Sequence, residues 1–289
     1  MAKRKRRKRK SLLKVPEFDF DWITARRVLV GAAWVLGGGV VVAAWVLGVP
    51  RLEAYASAQQ WHGEVEVRFV DPPPWLGDDL KTSLIQTAEE HIDPDPQNRH
   101  GLVIGRETLQ ATGWFDEITQ VRRVNSGLVE IDARFAQPFA VIRDSTGEAD
   151  HLVDPRGRLL PRAFPIGQAK HFTTIVGAAF DRPYRPGEHW PGTDVTAALK
   201  VLHLIQERPW RGQVAEIDVG AYMREASIRL VTDRGCVVLW GRTPGDEYGG
   251  EVSADQKLSY LNYHDEHYGH IDRGFLREID ITGDVVIGR

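Results

Sequence analysis

The stretch that decides the architecture is VLVGAAWVLGGGVVVAAWVLGV, residues 28–49, which contains no charged side chain. As an α-helix rising about 1.5 Å per residue it is about 33 Å long, enough to cross a hydrocarbon core of about 30 Å. We therefore expect a transmembrane helix over residues 28–49. The segment before it is short and basic, whereas the long segment after it has mixed charge and the patterns of a folded region.

The amino-terminal arm, residues 1–27, sets the expected orientation. It contains KRKRRKRK at residues 3–10, although the whole chain has a formal net charge of -3. Cations beside a span stay on the cytoplasmic side and are attracted to anionic lipid head groups. We expect a single-pass protein of the cytoplasmic (inner) membrane, with a cytoplasmic amino terminus and the bulk of the chain periplasmic or extracytoplasmic. That bulk is acidic, so nucleic acid is not an expected partner.

Two other interpretations of this end of the chain stay open. The basic run could bind nucleic acid or act as a nuclear address. The apolar stretch could belong to a cleaved signal peptide, because AYASA at residues 54–58 has small residues at alternate positions. Residues 28–49 are, however, longer than the apolar region of a signal peptide, which has about 7 to 15 residues. A retained anchor is the preferred prediction.

After residues 50–62, a helical extension or linker, residues 63–136 predict a small α+β domain. Val65, Val67 and Phe69 alternate with charged residues, as in a half-buried strand. Asp78 is a candidate helix cap, and Asn125 precedes a Ser-Gly pair suited to a tight hairpin turn. The expected elements are a strand at 63–70, helices at 78–91 and 106–112, and strands at 118–124 and 128–135. The order β-α-α-β-β predicts three strands with two helices on one face.

Residues 137–289 predict a second, mostly antiparallel β-rich domain with two helices. The proline-rich segment 161–193 shows little periodicity and is expected to be a long loop or wrapped segment. Asp194 is the expected cap of the first helix. The expected elements are strands at 139–143 and 151–154, a helix at 195–206, strands at 214–219, 227–231 and 236–240, a helix at 253–263, and final strands at 278–282 and 284–288.

The ordered set of segments resembles the FtsQ/DivIB family of bacterial cell-division proteins. The resemblance covers nearly the whole chain and lies in the set, since no single segment is specific. It implies that residues 63–136 form a POTRA-type domain. The segments that carry it are FAQPFAVIRD at 135–144, HLVDPRGRLLP at 151–161, VAEIDV at 214–219, SIRLVTDRGCVVLWG at 227–241, QKLSYL at 256–261 and EIDITGDVVI at 278–287.

The resemblance implies a non-catalytic scaffold that links septal division proteins to cell-wall synthesis, located at the division septum. Its partners would be other single-span division proteins, FtsB/FtsL-like, and no cofactor or small-molecule substrate is implied. In the family, a partner segment extends the free edge of the last strand, because an edge strand has unpaired N–H and C=O groups. In this chain the corresponding residues are Asp284, Val285, Val286, Ile287 and Gly288.

The sequence is also compatible with two other classes of function. One is a POTRA-bearing assembly, transport or receptor protein that docks a peptide strand on its first domain. The other is a membrane-tethered metalloenzyme that uses His264, His267 and His270, which recur at three-residue spacing. A solvated loop is the preferred interpretation of these histidines, because Gly269 interrupts them. Cys236 lies in an apolar run and is expected to be buried and inert. No nucleotide-binding or nucleophile-elbow motif occurs.

Overall fold

The structure is a computed structural model that describes residues 22–58, 65–95, 98–125, 127–274 and 276–289. The chain divides into two compact units, residues 1–60 and 61–289. Helix α1, Trp22–Ala58, dominates the first unit. Within it, Val30–Leu52 has a mean hydropathy of 2.0 and is long and apolar enough to cross a membrane, and none of its residues whose burial is described is buried. The predicted apolar helix is confirmed and continues into the predicted linker; most of the basic arm lies outside the described residues.

The smaller sheet of the second unit has three strands and two helices in the predicted order. The strands are β1 (Glu66–Val70), β2 (Phe115–Arg123) and β3 (Leu128–Phe135), with helices α2 (Asp78–His91) and α3 (Arg99–Ala111) between β1 and β2. The strand order is β1-β3-β2, in which β1 and β3 are parallel and β2 and β3 antiparallel.

The helices and the sheet bury their apolar faces against each other. The expected alternation in β1 is confirmed, because Val65, Val67 and Phe69 are all buried. Phe69 and Phe135 meet edge to face, with ring centroids 5.3 Å apart, and both belong to the core that Leu84 of α2 and Leu109 of α3 complete. Burial of such side chains is the main favourable term in folding.

Both helix starts differ from the sequence prediction. Helix α3 begins at Arg99 rather than residue 106, because Asn98 caps it: the Asn98 Oδ1 accepts from the backbone N–H of His100 at 3.0 Å and of Gly101 at 3.4 Å. The two glycines of its first turns weakened the helical pattern in the sequence. Asp78 is the first residue of α2 rather than its cap, which is Gly77.

The larger sheet has nine strands and is mostly antiparallel, as predicted. Its order is β12-β11-β10-β9-β8-β7-β4-β5-β6, with parallel pairing only at β10–β11, β4–β7 and β7–β8 among the described strands. The strands are β4 Ala140–Arg143, β5 Ala149–Val153, β6 Leu159–Pro165, β7 Thr173–Val176, β8 Val214–Asp218, β9 Ile228–Thr232, β10 Val237–Gly241, β11 Glu278–Asp280 and β12 Ile287–Gly288.

The prediction of a long loop at 161–193 is wrong. The segment contains the end of β6 and all of β7, which lies in the middle of the sheet, parallel to both β4 and β8. Thr173 and Ile175 of β7 are buried. Four residues are too few to display a strand period, and the surrounding prolines and glycines indicate turns, so only the tertiary pairing reveals this strand.

Two long helices, α4 (Thr193–Ile205) and α6 (Ala254–Tyr268), pack on the larger sheet, and a single turn, α5, spans Tyr222–Glu225. Helix α4 follows Gly192 rather than a capping Asp194, whose side chain is buried and accepts from the backbone N–H of Ala179 at 2.7 Å. Helix α6 runs five residues beyond its predicted end, to Tyr268, and Gly269 in the left-handed conformation caps it.

The two sheets share apolar packing. Val141 of β4 and Leu152 of β5 are buried in the same cluster as Phe115 of β2. Gly113, which follows α3, has a φ of 82°, and a Cβ there would lie 2.5 Å from the Cβ of Pro186. The turn after α3 therefore lies directly against the segment that follows β7.

Gly113→Ala should lower the free energy of unfolding in urea by more than Gly147→Ala. Both glycines have positive φ, which costs an L-residue about 1–2 kcal/mol. Only at Gly113 does the added methyl also meet Pro186, which adds about 1–3 kcal/mol of overpacking, whereas nothing lies within 4 Å of it at Gly147. Equal losses for the two variants would contradict the contact.

Candidate functional site: the carboxyl-terminal edge of the larger sheet

The residues expected to form the free edge strand are only partly a strand. Of Asp284, Val285, Val286, Ile287 and Gly288, just Ile287 and Gly288 form β12. Val285 and Ile287 expose 72% and 53% of their surfaces. The expected strand is shorter because the chain bends at Asp284, whose carbonyl accepts from the Tyr260 hydroxyl at 3.0 Å. Val286 packs against the core of the larger sheet, and this contact also holds the bend in place.

Strand β12 ends the larger sheet, and among the described strands it is paired with β11 alone. Arg289 and Glu278 exchange two backbone hydrogen bonds, of 2.9 Å and 3.3 Å. Backbone groups alternate in direction along an antiparallel strand, so those of Gly288 face away from β11. The outer side of β12 therefore has a donor and an acceptor for a further strand.

The backbone of Gly288 packs closely against the Leu276 side chain. A Cβ at this position would lie 2.5 Å from Cδ1 of Leu276, which is itself packed against the core. The carboxyl-terminal edge is thus supported by Leu276, in the segment that leads into β11.

A buried ion pair ties α6 to the end of β10 beside this edge. Lys257 is fully buried, and its Nζ lies 2.6 Å from Oε1 of Glu251 and 5.2 Å from the centroid of the Trp240 ring. The same Glu251 oxygen accepts from the backbone N–H of Arg242 at 2.7 Å. A buried cation requires such a partner. The sequence prediction gave Lys257 no role, although its spacing from Leu258 and Leu261 places it on the inner face of the helix.

His264 and His270 belong to a second polar cluster, and the prediction that the three histidines lie in a solvated loop is wrong. His264 and His267 are on α6, and Gly269 ends that helix. His264 and His270 are buried, whereas His267 is exposed and stacks on Tyr263 with ring centroids 3.9 Å apart. The helix was predicted too short because its later turns contain mostly polar residues.

His264 is held in one tautomer. Its Nε2 lies 3.0 Å from a terminal nitrogen of Arg273 and its Nδ1 lies 2.9 Å from the carbonyl oxygen of Ile271. Because a guanidinium only donates, Nε2 accepts and the ring proton is assigned to Nδ1, which donates to Ile271. Burial lowers the pKa of His264, and the nearby charge of Arg273 acts in the same direction, against the hydrogen bond to Ile271.

His270 joins residues 269–274, which follow α6, to the turn after β9. Its Nε2 lies 2.9 Å from Oδ1 of Asp233 and its Nδ1 lies 2.6 Å from Oδ1 of Asp272. Gln213 supports the same segment by accepting from the backbone N–H of Ile271 at 2.9 Å. In the part of the chain that the structure describes, no group of three or more His, Cys, Asp or Glu side chains could hold a metal ion. These contacts of His270 and Ile271 hold in place the part of the chain that precedes β11.

The thiol of Cys236 is buried, as expected, with 2% of the residue exposed. Burial, together with the carboxylates of Asp272 and Glu278, raises the pKa of the Cys236 thiol to about 11. Since the thiolate is the nucleophilic form, this environment opposes its reactivity at neutral pH.

Lys257→Met should lower the free energy of unfolding by about 3 kcal/mol, because it removes the closer cation of the mostly buried Glu251 carboxylate and leaves only the Arg242 guanidinium, 3.7 Å away. Lys200→Met, at an exposed position of α4, is the matched control and should change it by less than about 0.5 kcal/mol. Urea denaturation followed by tryptophan fluorescence measures both. A Lys257→Met, Glu251→Leu double variant should regain much of the lost stability. Equal stability of Lys257→Met and Lys200→Met would show that the ion pair is not needed.

Acidification should destabilise the fold through His264. Its pKa is lower in the folded than in the unfolded chain, so its contribution is fully present above the unfolded value of about 6.5 and is lost as the pH falls below it. His264→Asn should therefore lose less stability than the unsubstituted chain between pH 7.5 and pH 5. The exposed His267→Asn should follow the unsubstituted chain; identical pH dependence of all three would refute the assignment.

No family model matches this chain, and no curated protein matches it either. The candidate site therefore rests on the geometry of its own residues: an unpaired strand edge, two exposed aliphatic side chains and the buried polar contacts beneath them.

Proposed function

We propose that this chain is a non-catalytic, single-pass membrane scaffold of the FtsQ/DivIB type, which links septal division proteins to cell-wall synthesis. The apolar helix Val30–Leu52 would be its anchor. The basic run at residues 3–10 would keep the amino terminus in the cytoplasm, so that residues 61–289 lie outside the cytoplasm. The smaller sheet, with its β1-β3-β2 order and two helices, would be the POTRA-type domain.

The observation that carries this proposal is the unpaired outer side of β12. A partner strand that aligns beside Gly288 gains main-chain hydrogen bonds, and alternate side chains supply specificity. Val285 and Ile287 are exposed at the same place and would contact the side chains of that strand. The partner class is a small single-span coiled-coil protein, FtsB/FtsL-like, which adds one strand to the larger sheet.

The double substitution Val285→Lys, Ile287→Lys should reduce recovery of such a partner by about tenfold, the effect of losing a well-packed interface anchor. Lysine on an edge strand disfavours strand addition and leaves the pairing of β12 with β11 in place. Val103→Lys, at an exposed position of α3, is the matched control and should leave recovery unchanged. Both variants are compared by co-purification from dividing cells, after circular dichroism has shown intact folds. Equal recovery from both would contradict the assignment of the edge.

Location tests the cellular role separately from the edge. A fluorescent protein fused to the amino terminus should concentrate at midcell during constriction, and residues 61–289 should be accessible to protease only from outside the cytoplasm. Uniform membrane fluorescence throughout the division cycle would contradict a septal role.

One alternative has a specific observation in its favour. Among the described strands, β2 pairs with β3 alone, which leaves one side of a nine-residue strand for a peptide. A POTRA-bearing assembly, transport or receptor protein would use this edge. Neighbouring genes for outer-membrane assembly, rather than for wall synthesis, would favour that alternative.

A further inference from the structure

A groove lined by aromatic rings lies between the smaller sheet and the β6 edge of the larger sheet, which is the edge opposite β12. Its volume is about 590 Å³. The aromatic residues that line it are Trp75, Trp114, Phe164 and Phe172. We call this cavity the aromatic groove. Aromatic walls with a few polar groups are typical of sites that bind ligands or peptides.

Two tryptophans that line the groove have indole N–H groups without a protein acceptor among the described residues. Trp190, Trp210 and Trp240 each donate through their indole nitrogen, whereas within the described residues Trp75 and Trp114 do not. Among the described residues, the buried side-chain atoms without a hydrogen-bond partner belong to Asp194 and Glu247. Nε1 of Trp114 also has no partner but is not one of these buried atoms, so it is accessible to solvent although the residue is only 7% exposed. A buried indole normally finds a partner for its N–H.

Charged side chains of both signs line the groove. Asp78 and Asp79, in the first turn of α2, line it, are exposed, and have no ion-pair partner among the described residues. Arg162 also lines the groove, and its guanidinium lies 5.0 Å from the centroid of the Phe164 ring, so the rings hold this cation in place. The adjacent carboxylates attract a basic group of a ligand.

Strand addition is disfavoured here, although β6 is an edge strand. Pro161 and Pro165 have no N–H and bracket the exposed part of β6. The start of β6 is already covered, because the N–H of Leu159 donates to Glu188 at 2.9 Å and its carbonyl accepts from Gly187 at 2.7 Å. The recognition groups that remain are rings and side-chain donors rather than a backbone edge.

We infer that the aromatic groove docks a basic, proline-rich segment of a partner protein in the polyproline II conformation. Proline rings pack on aromatic faces, and such a segment presents carbonyl acceptors with few N–H donors. The indole N–H groups of Trp75 and Trp114 match those acceptors, and Asp78 and Asp79 match a flanking arginine or lysine. This surface goes beyond the proposed scaffold role, and a ligand there does not require the edge at β12.

The test is a titration of the full chain in lipid nanodiscs against a fluorescein-labelled peptide, Arg-Pro-Pro-Leu-Pro-Pro-Arg, followed by fluorescence anisotropy. We expect saturable binding that Trp75→Phe weakens about fivefold, because the ring remains and one hydrogen bond is lost. Asp78→Asn with Asp79→Asn should weaken binding and reduce its dependence on salt. Gln137→Ala, which removes an exposed amide in the groove, serves as a second probe of the same surface and should weaken binding too.

Matched controls make the outcome decisive. Tyr184→Phe, at a residue 89% exposed, and Glu207→Gln, an exposed carboxylate after α4, lie outside the groove lining and should bind like the unsubstituted chain. Arg-Ala-Ala-Leu-Ala-Ala-Arg, which lacks the prolines, should not saturate. The inference is overturned if the proline peptide does not bind, if the alanine peptide or an alternating Val-Thr strand peptide binds equally well, or if both Trp75→Phe and Gln137→Ala leave binding unchanged.

Discussion

The buried contact between Lys257 and Glu251 holds together the end of the sheet on which the proposed function depends. Glu251 also accepts from the backbone of Arg242 just after β10, so one carboxylate joins α6, the end of β10 and the loop before α6. Strand β11 pairs with β10, and β12 pairs with β11. A short terminal strand has few hydrogen bonds of its own, so its position depends on this support.

The two edge strands of the nine-stranded sheet, β6 and β12, differ in how far they are protected from further strand pairing. At β6, two prolines and the backbone of residues 187–188 block further pairing, which is how natural sheets avoid unwanted association. At β12, the exposed side chain of Ile287 is aliphatic, and the outward backbone of Gly288 has no strand partner among the described residues. The proposed partner site therefore lies at the edge with fewer of these blocking features.

The sequence was sufficient for those features that rest on local patterns. The apolar helix, the β-α-α-β-β order, the alternation in β1 and the burial of Cys236 all follow from periodicity and composition. Features that rest on tertiary contacts could not be predicted in the same way. Strand β7 is too short to show a period, and the buried state of His264 depends on Arg273 and Ile271, which reach it only after the chain folds back beyond Gly269. The burial of Lys257 could not be predicted either, because a lysine on the inner face of a helix is stable there only if a carboxylate pairs with it, and the sequence does not show that Glu251 does so.

The shared packing of the two sheets has a mechanical consequence. Val141 and Leu152 of the larger sheet are buried with Phe115 of the smaller one, and the turn at Gly113 lies against Pro186. Close-packed interiors deform little, so a hinge between the sheets would have to open this core. Tension that a partner applies to this unit would therefore be transmitted through the shared core of the two sheets, rather than absorbed by bending between them.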